Sequence, residues 1–385
     1  MKNERTVAEF FAGIGLMRLG LEQAGWRIVW ANDIEEDKFR MYRGHFADDE
    51  AHFVVGDVHA IDPATMPNIA LATASFPCND LSLAGSRQGL AGQHSSAFWG
   101  FVDTIKGMGN RRPPLVLLEN VAGFLTSNDG NDFRDACLAL NDLGYAVDAF
   151  IIDAAWFVPQ SRQRLFLVGK REKRKFVELV DEDTPSFYQG QCRPAALADF
   201  ILWHSEIRWS IRKLPTIQKA ETTLADILED LPLNSTYWWS KPRAEYLLNQ
   251  MSEKHRAIAD KMIAGKKTTC GTVFRRVRNG RSMAELRTDG VAGCLRTPRG
   301  GSGRQILFVA GKGRYAARLV TPKECACLMG ADGYKITVPL NQALFGFGDA
   351  VCVPAIRWIA DNYLTPTLKE LHAVETQKNR YAAAS

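Results

Sequence analysis

The sequence predicts an α/β protein with a doubly wound, mostly parallel sheet and a smaller, irregular second domain. Over roughly the first 170 residues, short apolar runs alternate with helix-length segments, which is typical of a parallel sheet covered on both faces. Residues 186–310 are rich in Trp, Arg and Gly and show no sustained period. That change of character indicates a separate domain.

Each short apolar run in the first part predicts one strand. The strands are expected at 5–11, 26–33, 52–58, 69–76, 114–121, 145–153 and 164–170, with helices at 14–25, 35–46, 95–110 and 131–143. A short helix with proline at its start is predicted at 321–330, and a turn followed by a long amphipathic helix at 341–364. We expect one domain from residues 1–185 and 339–385, and the other from 186–338.

Composition narrows the class of protein. At 385 residues the chain is long enough for two domains. Its cysteines lack the paired spacing of a zinc site, so we expect no metal and a reduced, cytoplasmic setting. No apolar run predicts a membrane span. Between Lys266 and Arg318, 13 Lys or Arg stand against two acids, as expected of a surface that meets phosphates or of a solvated basic face.

Glycines and acids follow three successive predicted strands. Gly13 and Gly15 lie in the turn after the first strand, Asp33 ends the second and Asp57 ends the third. Glycines let the backbone approach a ligand, and an acid about 20 residues further on can hold ribose hydroxyls. Asp57 is then in reach of an adenine amino group. Because Arg18 stands where a pyrophosphate fingerprint needs glycine, the pattern favours a nucleoside cofactor without phosphates.

Reactive side chains follow the later strands. Cys78 comes after Pro77 at the end of the fourth strand, Glu119 ends the fifth, and Arg162 and Arg164 alternate into the seventh, so both face one side. Taken singly, the cysteine could be structural and the glutamate a cap. Together they suit one reaction, in which a thiolate adds to C6 of a cytosine, an acid contacts N3 and the exocyclic amine, and an arginine contacts O2. C5 then accepts a methyl group, for which S-adenosylmethionine is the nucleoside donor.

Eight stretches resemble, in order, the motifs of DNA (cytosine-5) methyltransferases. They are FAGIG at 11–15, ND at 32–33, GDV at 56–58, FPCNDLS at 76–82, ENV at 119–121, QSRQR at 160–164, RLVTPKECACLMG at 318–330 and FGFGDAV at 345–351. The resemblance implies the Rossmann-like fold of class I S-adenosylmethionine methyltransferases. It also implies that residues 1–185 and 339–385 carry the cofactor and the catalytic groups, and that 186–338 form a target-recognition domain.

The resemblance assigns roles residue by residue. It implies that Cys78 is the nucleophile, Glu119 the N3 contact, Arg162 and Arg164 the pyrimidine-side partners, and 79–98 a loop that closes over a flipped base. Cofactor contacts are expected from Phe11, Ala12, Gly13, Ile14, Gly15, Asp33, Ile34, Asp57, Val58, Pro77, Asp349 and Ala350. DNA contacts, to phosphates or guanine edges, are expected from Asn79, Ser82, Arg275, Arg276, Arg278, Arg281, Arg296, Arg299 and Arg304.

Four places depart from the family pattern. Leu16 replaces a second glycine of the first motif, Asn79-Asp80 replace the more common Gln-Ala or Gln-Pro, and Cys294 replaces the threonine of a Thr-Leu pair. In the last motif Asp349-Ala350 replace Asn-Ser. A carboxylate there either favours the sulfonium charge of the cofactor or is a neutral variant held by a hydrogen bond.

The sequence therefore predicts sequence-specific methylation of cytosine C5 in double-stranded DNA, by base flipping and a covalent Cys78 adduct, with S-adenosylmethionine as the cofactor. One alternative is a tRNA cytosine-5 methyltransferase, although the Cys-Phe-Thr signature of that branch is absent. Another is a catalytically silent DNA-binding regulator. The expected setting is the nucleoid, as a monomer on DNA without membrane association. The enzyme would be solitary or would accompany a restriction endonuclease without a stable complex.

Overall fold

The computed structural model describes residues 5–46, 52–77, 96–172, 190–232, 234–278, 280–297 and 303–384. In this part of the chain a seven-stranded sheet and a four-stranded sheet organise the fold. The helices are α1 Leu16–Gln23, α2 Glu36–Phe46, α3 Ser96–Gly107, α4 Asn131–Asp142, α5 Ala195–Trp203, α6 Lys241–Asn249, α7 Glu253–Ala264, α8 Pro322–Leu328, α9 Leu340–Asp349, α10 Val353–Ile359 and α11 Thr365–Ala384.

The larger sheet is the predicted doubly wound, mostly parallel one. Its strands are β1 Thr6–Phe10, β2 Arg27–Asp33, β3 Phe53–Val55, β4 Leu71–Ala74, β5 Leu115–Val121, β6 Tyr145–Asp153 and β7 Gln163–Arg171. Their order is β3-β2-β1-β4-β5-β7-β6, and β7 runs antiparallel to both of its neighbours. From β1 the chain adds β2 and β3 on one side of the sheet, and then β4 and β5 on the other. Such sheets open a ligand-binding crevice at the carboxyl ends of their strands where the order reverses, here between β1 and β4.

Side chains of the central strands alternate between two apolar cores. In β1, Val7 joins one core and Ala8 the other, and in β5, Leu117 and Leu118 divide in the same way. The first core is covered by α1 and the C-terminal helices, the second by α3, α4 and α5. Burial on both faces explains why these strands read as continuous apolar runs.

The smaller sheet has a core of its own. Its antiparallel strands, in the order β11-β10-β8-β9, are β8 Thr269–Arg278, β9 Arg281–Arg287, β10 Ile306–Gly311 and β11 Arg314–Leu319. Val273, Phe308 and Ala317 of this sheet pack against Leu247 of α6 and Ala259 of α7. A smaller second domain was predicted, and the structure gives it a regular sheet.

Segments on either side of the smaller sheet pack on the larger one. Leu197 and Ile201 of α5 belong to the second core, together with Trp209. After β11, α8 begins as predicted, with Thr321 as its N-cap and proline at its first position, and its Leu328 joins the first core. The larger sheet therefore organises chain on both sides of the smaller unit.

The C-terminal helices complete the first core. The predicted turn at the start of 341–364 is wrong, because α9 begins at Leu340 and the chain leaves the helix only at Ala350. The stretch Leu340–Val374 is long and apolar enough by composition to span a membrane. Most of its apolar window is buried in the fold, and core helices of soluble proteins have the same composition.

Candidate active site

The turn after β1 is built from left-handed residues. Phe11 has φ 56°, Gly13 φ 57° and Gly15 φ 80°. At Gly15 a side chain would also collide with the rings of Tyr42 and Phe46. For Phe11, which is not a glycine, this conformation costs about 1–2 kcal/mol. Phe11 lies at the carboxyl end of β1, beside the crevice, where such strain commonly accompanies a binding site.

Asp33 holds this turn from the end of β2. Its carboxylate accepts hydrogen bonds from the N–H groups of Gly13 at 2.8 Å and Glu35 at 2.9 Å. Burial raises the pKa of Asp33, while the Lys38 ammonium and the two N–H donors act in the opposite direction. The structure thus brings two of the predicted cofactor residues, Gly13 and Asp33, into direct contact.

The ends of β2 and β3 add an apolar surface and a second acid. Ile34 is 64% exposed, although isoleucine is usually buried. Asp57 is exposed and caps the turn that begins at Val58, by accepting a 2.9 Å hydrogen bond from the His59 N–H. An exposed apolar side chain and two carboxylates at the same sheet edge suit a purine nucleoside, which needs an apolar surface for its ring and acceptors for its polar groups. The remaining predicted residues of this edge include buried Ala12 and Ile14 and exposed Pro77.

Asp349 is paired within the fold. Its Oδ2 lies 3.1 Å from the Lys38 Nζ, at the point where the end of α9 faces α2. Burial acts to lower the pKa of Lys38, but Asp33 and Asp349 outweigh burial and raise it. Lys38 therefore stands between two predicted cofactor residues, although sequence reasoning missed it. Its one signal is its place in α2, five residues after Asp33.

Glu119 and Arg164 form a nearly buried ion pair at the carboxyl end of β5. The distance from Arg164 Nε to Glu119 Oε1 is 2.8 Å, and the two side chains are 16% and 7% exposed. The antiparallel pairing of β5 and β7, which sets Val121 opposite Arg164, brings them together. Among the described members of the predicted catalytic set, the structure joins these two directly.

The neighbouring Asn120 fixes the approach to the cysteine. Its Nδ2 donates to the Phe76 carbonyl at 3.2 Å, and its Oδ1 accepts from the Val121 N–H at 2.8 Å. The chain two residues before Cys78 is thereby tied to the end of β5. Four predicted residues lie outside the described residues, together with most of the predicted loop 79–98: Cys78, Asn79, Ser82 and Arg299.

Arg162 is a buried connector of separate chain segments. It is 2% exposed. Its Nη1 donates to the Leu295 carbonyl at 2.8 Å and lies 3.3 Å from the Cys294 Sγ. Its Nη2 donates to the carbonyls of Gly348 at 3.1 Å and Ala350 at 2.6 Å. Burial, and then the neighbouring Arg164 charge, lowers its pKa. Whereas Arg164 pairs with Glu119, Arg162 joins segment 294–295 to the end of α9.

Gln160 holds the same segment 294–295 and ties it to α8. Its Oε1 accepts from the Leu295 N–H at 2.9 Å, and its Nε2 donates to the Leu328 carbonyl at 2.7 Å. Gly348 lets the end of α9 approach this segment, because a Cβ there would lie 2.6 Å from the backbone of Arg296 and Thr297.

Cys294 lies among cationic side chains at this junction. Burial disfavours its thiolate, but the charges of Arg162, Arg164 and Arg296 outweigh burial and lower the pKa of the thiol. The seven cysteines of the described ranges are all free thiols. In the same ranges no group of His, Cys, Asp or Glu has the arrangement of a metal site.

The predicted DNA-contacting arginines lie in different surroundings. Arg276 and Arg278 share Glu285 of β9, at 3.7 Å and 2.7 Å. Arg275, one residue earlier in β8, points to the other face of the strand, where it lies near Trp239. Of the others, Arg281 and Arg296 are exposed, and half-buried Arg304 donates to Asn341 at 3.0 Å.

The chain is similar in sequence to known methyltransferases. A family model described as C-5 cytosine-specific DNA methylase matches residues 5–365. The chain is 27% identical over 254 residues to the orphan methyltransferase M.SPRI of Bacillus phage SPR, covering 64% of this chain and 54% of that protein. It is 34% identical over 177 residues to the type II methyltransferase M.HaeII of Haemophilus aegyptius, covering 46% and 53%. The match thus spans about half the length of these curated relatives.

A solved structure shares the fold. The S. pombe Dnmt2 methyltransferase has a TM-score of 0.59 and 18% sequence identity, and the match covers 94% of this chain and 99% of that one.

Proposed function

We propose, on the ground that this chain belongs to the C-5 cytosine-specific DNA methylase family, that it methylates cytosine C5 in double-stranded DNA. The observation that carries the proposal is the Glu119–Arg164 pair at the sheet edge, next to the Asn120 contact that ties down the approach to Cys78. In this proposal the acid and the arginine face the point where a flipped cytosine would enter, and Cys78 is the nucleophile that attacks the cytosine.

Each group has a defined task in this reaction. The Cys78 thiolate adds to C6, and Glu119 at N3 and the exocyclic amine stabilises the electron-rich ring that results. Arg164 holds the Glu119 carboxylate in place, and its guanidinium contacts O2 of the base. Methyl transfer to C5 leaves the donor as a neutral thioether. Water then takes the C5 proton as the thiolate is expelled from C6, which restores the ring. Base flipping and the covalent adduct are parts of this proposal.

S-adenosylmethionine fits the edge formed by β1, β2 and β3, and supplies the methyl group as an electrophilic sulfonium. The strained turn at Phe11, the buried Asp33, the exposed Ile34 and the exposed Asp57 support this assignment. Because Lys38 neutralises Asp349, we favour the reading in which this carboxylate is held within the fold and does not select for the sulfonium charge.

Arg162 takes a different task from the one that the resemblance implies. Its two terminal nitrogens donate to carbonyls of segment 294–295 and of the end of α9. We therefore assign Arg162 the task of holding segment 294–297 beside the cofactor edge. The recognition domain would consist of the smaller sheet with α6 and α7. The packing of α5 and α8 on the larger sheet supports a recognition unit that is narrower than 186–338.

The test is transfer of label from S-adenosylmethionine to mixed-sequence duplex DNA, with tRNA as a parallel substrate. We expect label at cytosine C5 of DNA, abolished by Cys78→Ser and retained in the control Cys327→Ser on α8. Equal labelling by wild type and Cys78→Ser, or labelling of tRNA alone, would contradict the proposal.

We also propose that the protein acts at the nucleoid and binds DNA as a monomer, with or without a cognate endonuclease.

A further inference from the structure

Two arginines converge on one tryptophan in the smaller unit. The Arg243 guanidinium of α6 lies 4.1 Å from the centroid of the Trp239 ring, and that of Arg275 in β8 lies 5.8 Å from it. Trp239 is anchored, because its backbone N–H donates to the Ala317 carbonyl of β11 at 2.9 Å and its side chain packs on the core of the smaller sheet. The ring thus gives both cations a fixed platform.

No acid balances this pair among the contacts of the described residues. The charged and polar groups that act on half-buried Arg275 are Arg243 and Tyr246, and burial followed by the Arg243 charge lowers the pKa of Arg275. Its Nε is buried without a hydrogen-bond partner in the described ranges. Other arginines of the unit differ, since Arg278 pairs with Glu285 and Arg256 with Asp260. The fold therefore holds two like charges together at a point where an anion would relieve their repulsion.

We propose that Arg243 and Arg275, with Trp239 between them, form a binding site for a backbone phosphate of duplex DNA. Guanidinium groups match phosphate oxygens in charge and geometry, and an aromatic platform reduces their freedom before binding. This inference rests on the proposed function, and it adds Arg243, to which no sequence motif pointed. It also separates Arg275 from Arg276 and Arg278, whose charges Glu285 shares.

A phosphate contact gives a distinctive salt dependence. Each neutralised phosphate releases counterions, so removing one contact makes the slope of log affinity against log salt shallower by about 1. We expect that change for Arg243→Ala and for Arg275→Ala, measured by fluorescence anisotropy with a labelled duplex. The loss of affinity should be equal on unrelated duplex sequences, because phosphates carry no sequence information. Arg243→Lys should keep the slope.

Two controls make the result decisive. Arg256→Ala on α7 removes an arginine that is already paired with Asp260 at 2.9 Å, and should leave the slope unchanged. Trp239→Phe should remove the part of the DNA-induced change in tryptophan emission that arises at this site. Unchanged slopes in both Arg243→Ala and Arg275→Ala, with or without weaker binding, would overturn the inference. A wild-type protein that does not bind DNA at all would instead overturn the proposed function.

Discussion

At the scale of single residues, the Glu119–Arg164 pair shows how neighbouring strands supply a nearly buried carboxyl group with a partner. Both side chains are nearly buried, and their atoms lie 2.8 Å apart. A carboxylate without a partner at this depth would be costly. Because β5 and β7 are antiparallel neighbours, the arginine is supplied by the strand beside the glutamate. The pairing that stabilises the sheet edge therefore also positions the acid.

Glu119→Gln tests the role of this acid. The substitution keeps the shape but removes the carboxylate, so we expect methyl transfer to fall by about 10²- to 10⁴-fold, with DNA binding retained. Gln163→Ala is the matched control, since Gln163 is exposed and adjacent to Arg164 on β7. Label transfer and duplex binding are measured on the same preparations. Near-normal transfer by Glu119→Gln would remove this residue from the chemistry.

The Lys38–Asp349 pair gives a second prediction at this scale. If Lys38 neutralises Asp349, replacing the acid by the Asn usual in the family should leave relative affinity for the cationic cofactor and its neutral product almost unchanged. Asp349→Asn should then alter the ratio of Kd for S-adenosylmethionine to Kd for S-adenosylhomocysteine by less than about twofold, within roughly 0.4 kcal/mol. Lys38→Met removes the cation that pairs with this carboxylate. It should therefore lower the Kd for S-adenosylmethionine relative to the Kd for S-adenosylhomocysteine. Isothermal titration measures both ligands, and a large shift in Asp349→Asn alone would show that the carboxylate selects the cofactor charge.

At the scale of elements, Arg162 connects parts of the chain that are far apart in sequence. It leads into β7, yet its hydrogen bonds end on Leu295, Gly348 and Ala350. The sequence showed two arginines on one face of a strand and hence one shared role. It could not show that the acceptors for the first arginine come from chain more than a hundred residues later.

Arg162→Lys measures what this connector holds. Lysine keeps the charge but lacks the planar fork that serves carbonyls on two sides. We expect faster amide hydrogen exchange in 292–297 and 346–352, while β4 and β5 stay protected. Exchange followed by mass spectrometry reports both regions, with Gln163→Ala as the control. If Arg162 acted only on the pyrimidine, exchange in the DNA-free protein would not change.

The elements themselves were predictable to different degrees. The central strands of the larger sheet are buried on both faces, so their apolar runs identified them. The smaller sheet carries arginines in β8 and β9, which interrupt the apolar period. Its one local signal is the Asn-Gly dipeptide between Arg278 and Arg281, which pair across the hairpin. Asn-Gly is the strongest short hairpin signal, and Gly280 has φ 73°.

At the scale of the whole molecule, a second buried ion pair attaches the smaller sheet to the larger core. Arg318 at the end of β11 contacts Glu324 of α8 at 2.5 Å and 2.7 Å, and the side chains are 1% and 0% exposed. Glu324 also accepts from the N–H groups of Thr321 and Glu229. One carboxylate thus fixes the return of the chain from the smaller sheet to the larger core. The sequence located α8 but gave no sign of this pair.

Glu9 couples global stability to pH. It lies in the central strand β1 and is 1% exposed, and burial raises its pKa from 4.5 to about 8. Between these values the unfolded chain loses the proton while the folded chain keeps it. Stability from this group is therefore present below about pH 4.5 and falls as the pH rises, by up to about 1.4 kcal/mol per pH unit. Above about pH 8 both states are ionised and the loss levels off.

Glu9→Gln removes this dependence, because glutamine stays neutral at every pH. The free energy of unfolding of the variant minus that of wild type should rise steadily between about pH 5 and pH 8 and then become constant. Urea unfolding across this range measures it, and Glu245→Gln, an exposed position on α6, should give a flat difference. Glutamine can pack less well than a protonated glutamate, which adds a constant offset, so the slope is the quantity that decides. A flat or falling difference for Glu9→Gln would mean that Glu9 is ionised inside the sheet at neutral pH, and that a cation compensates it there.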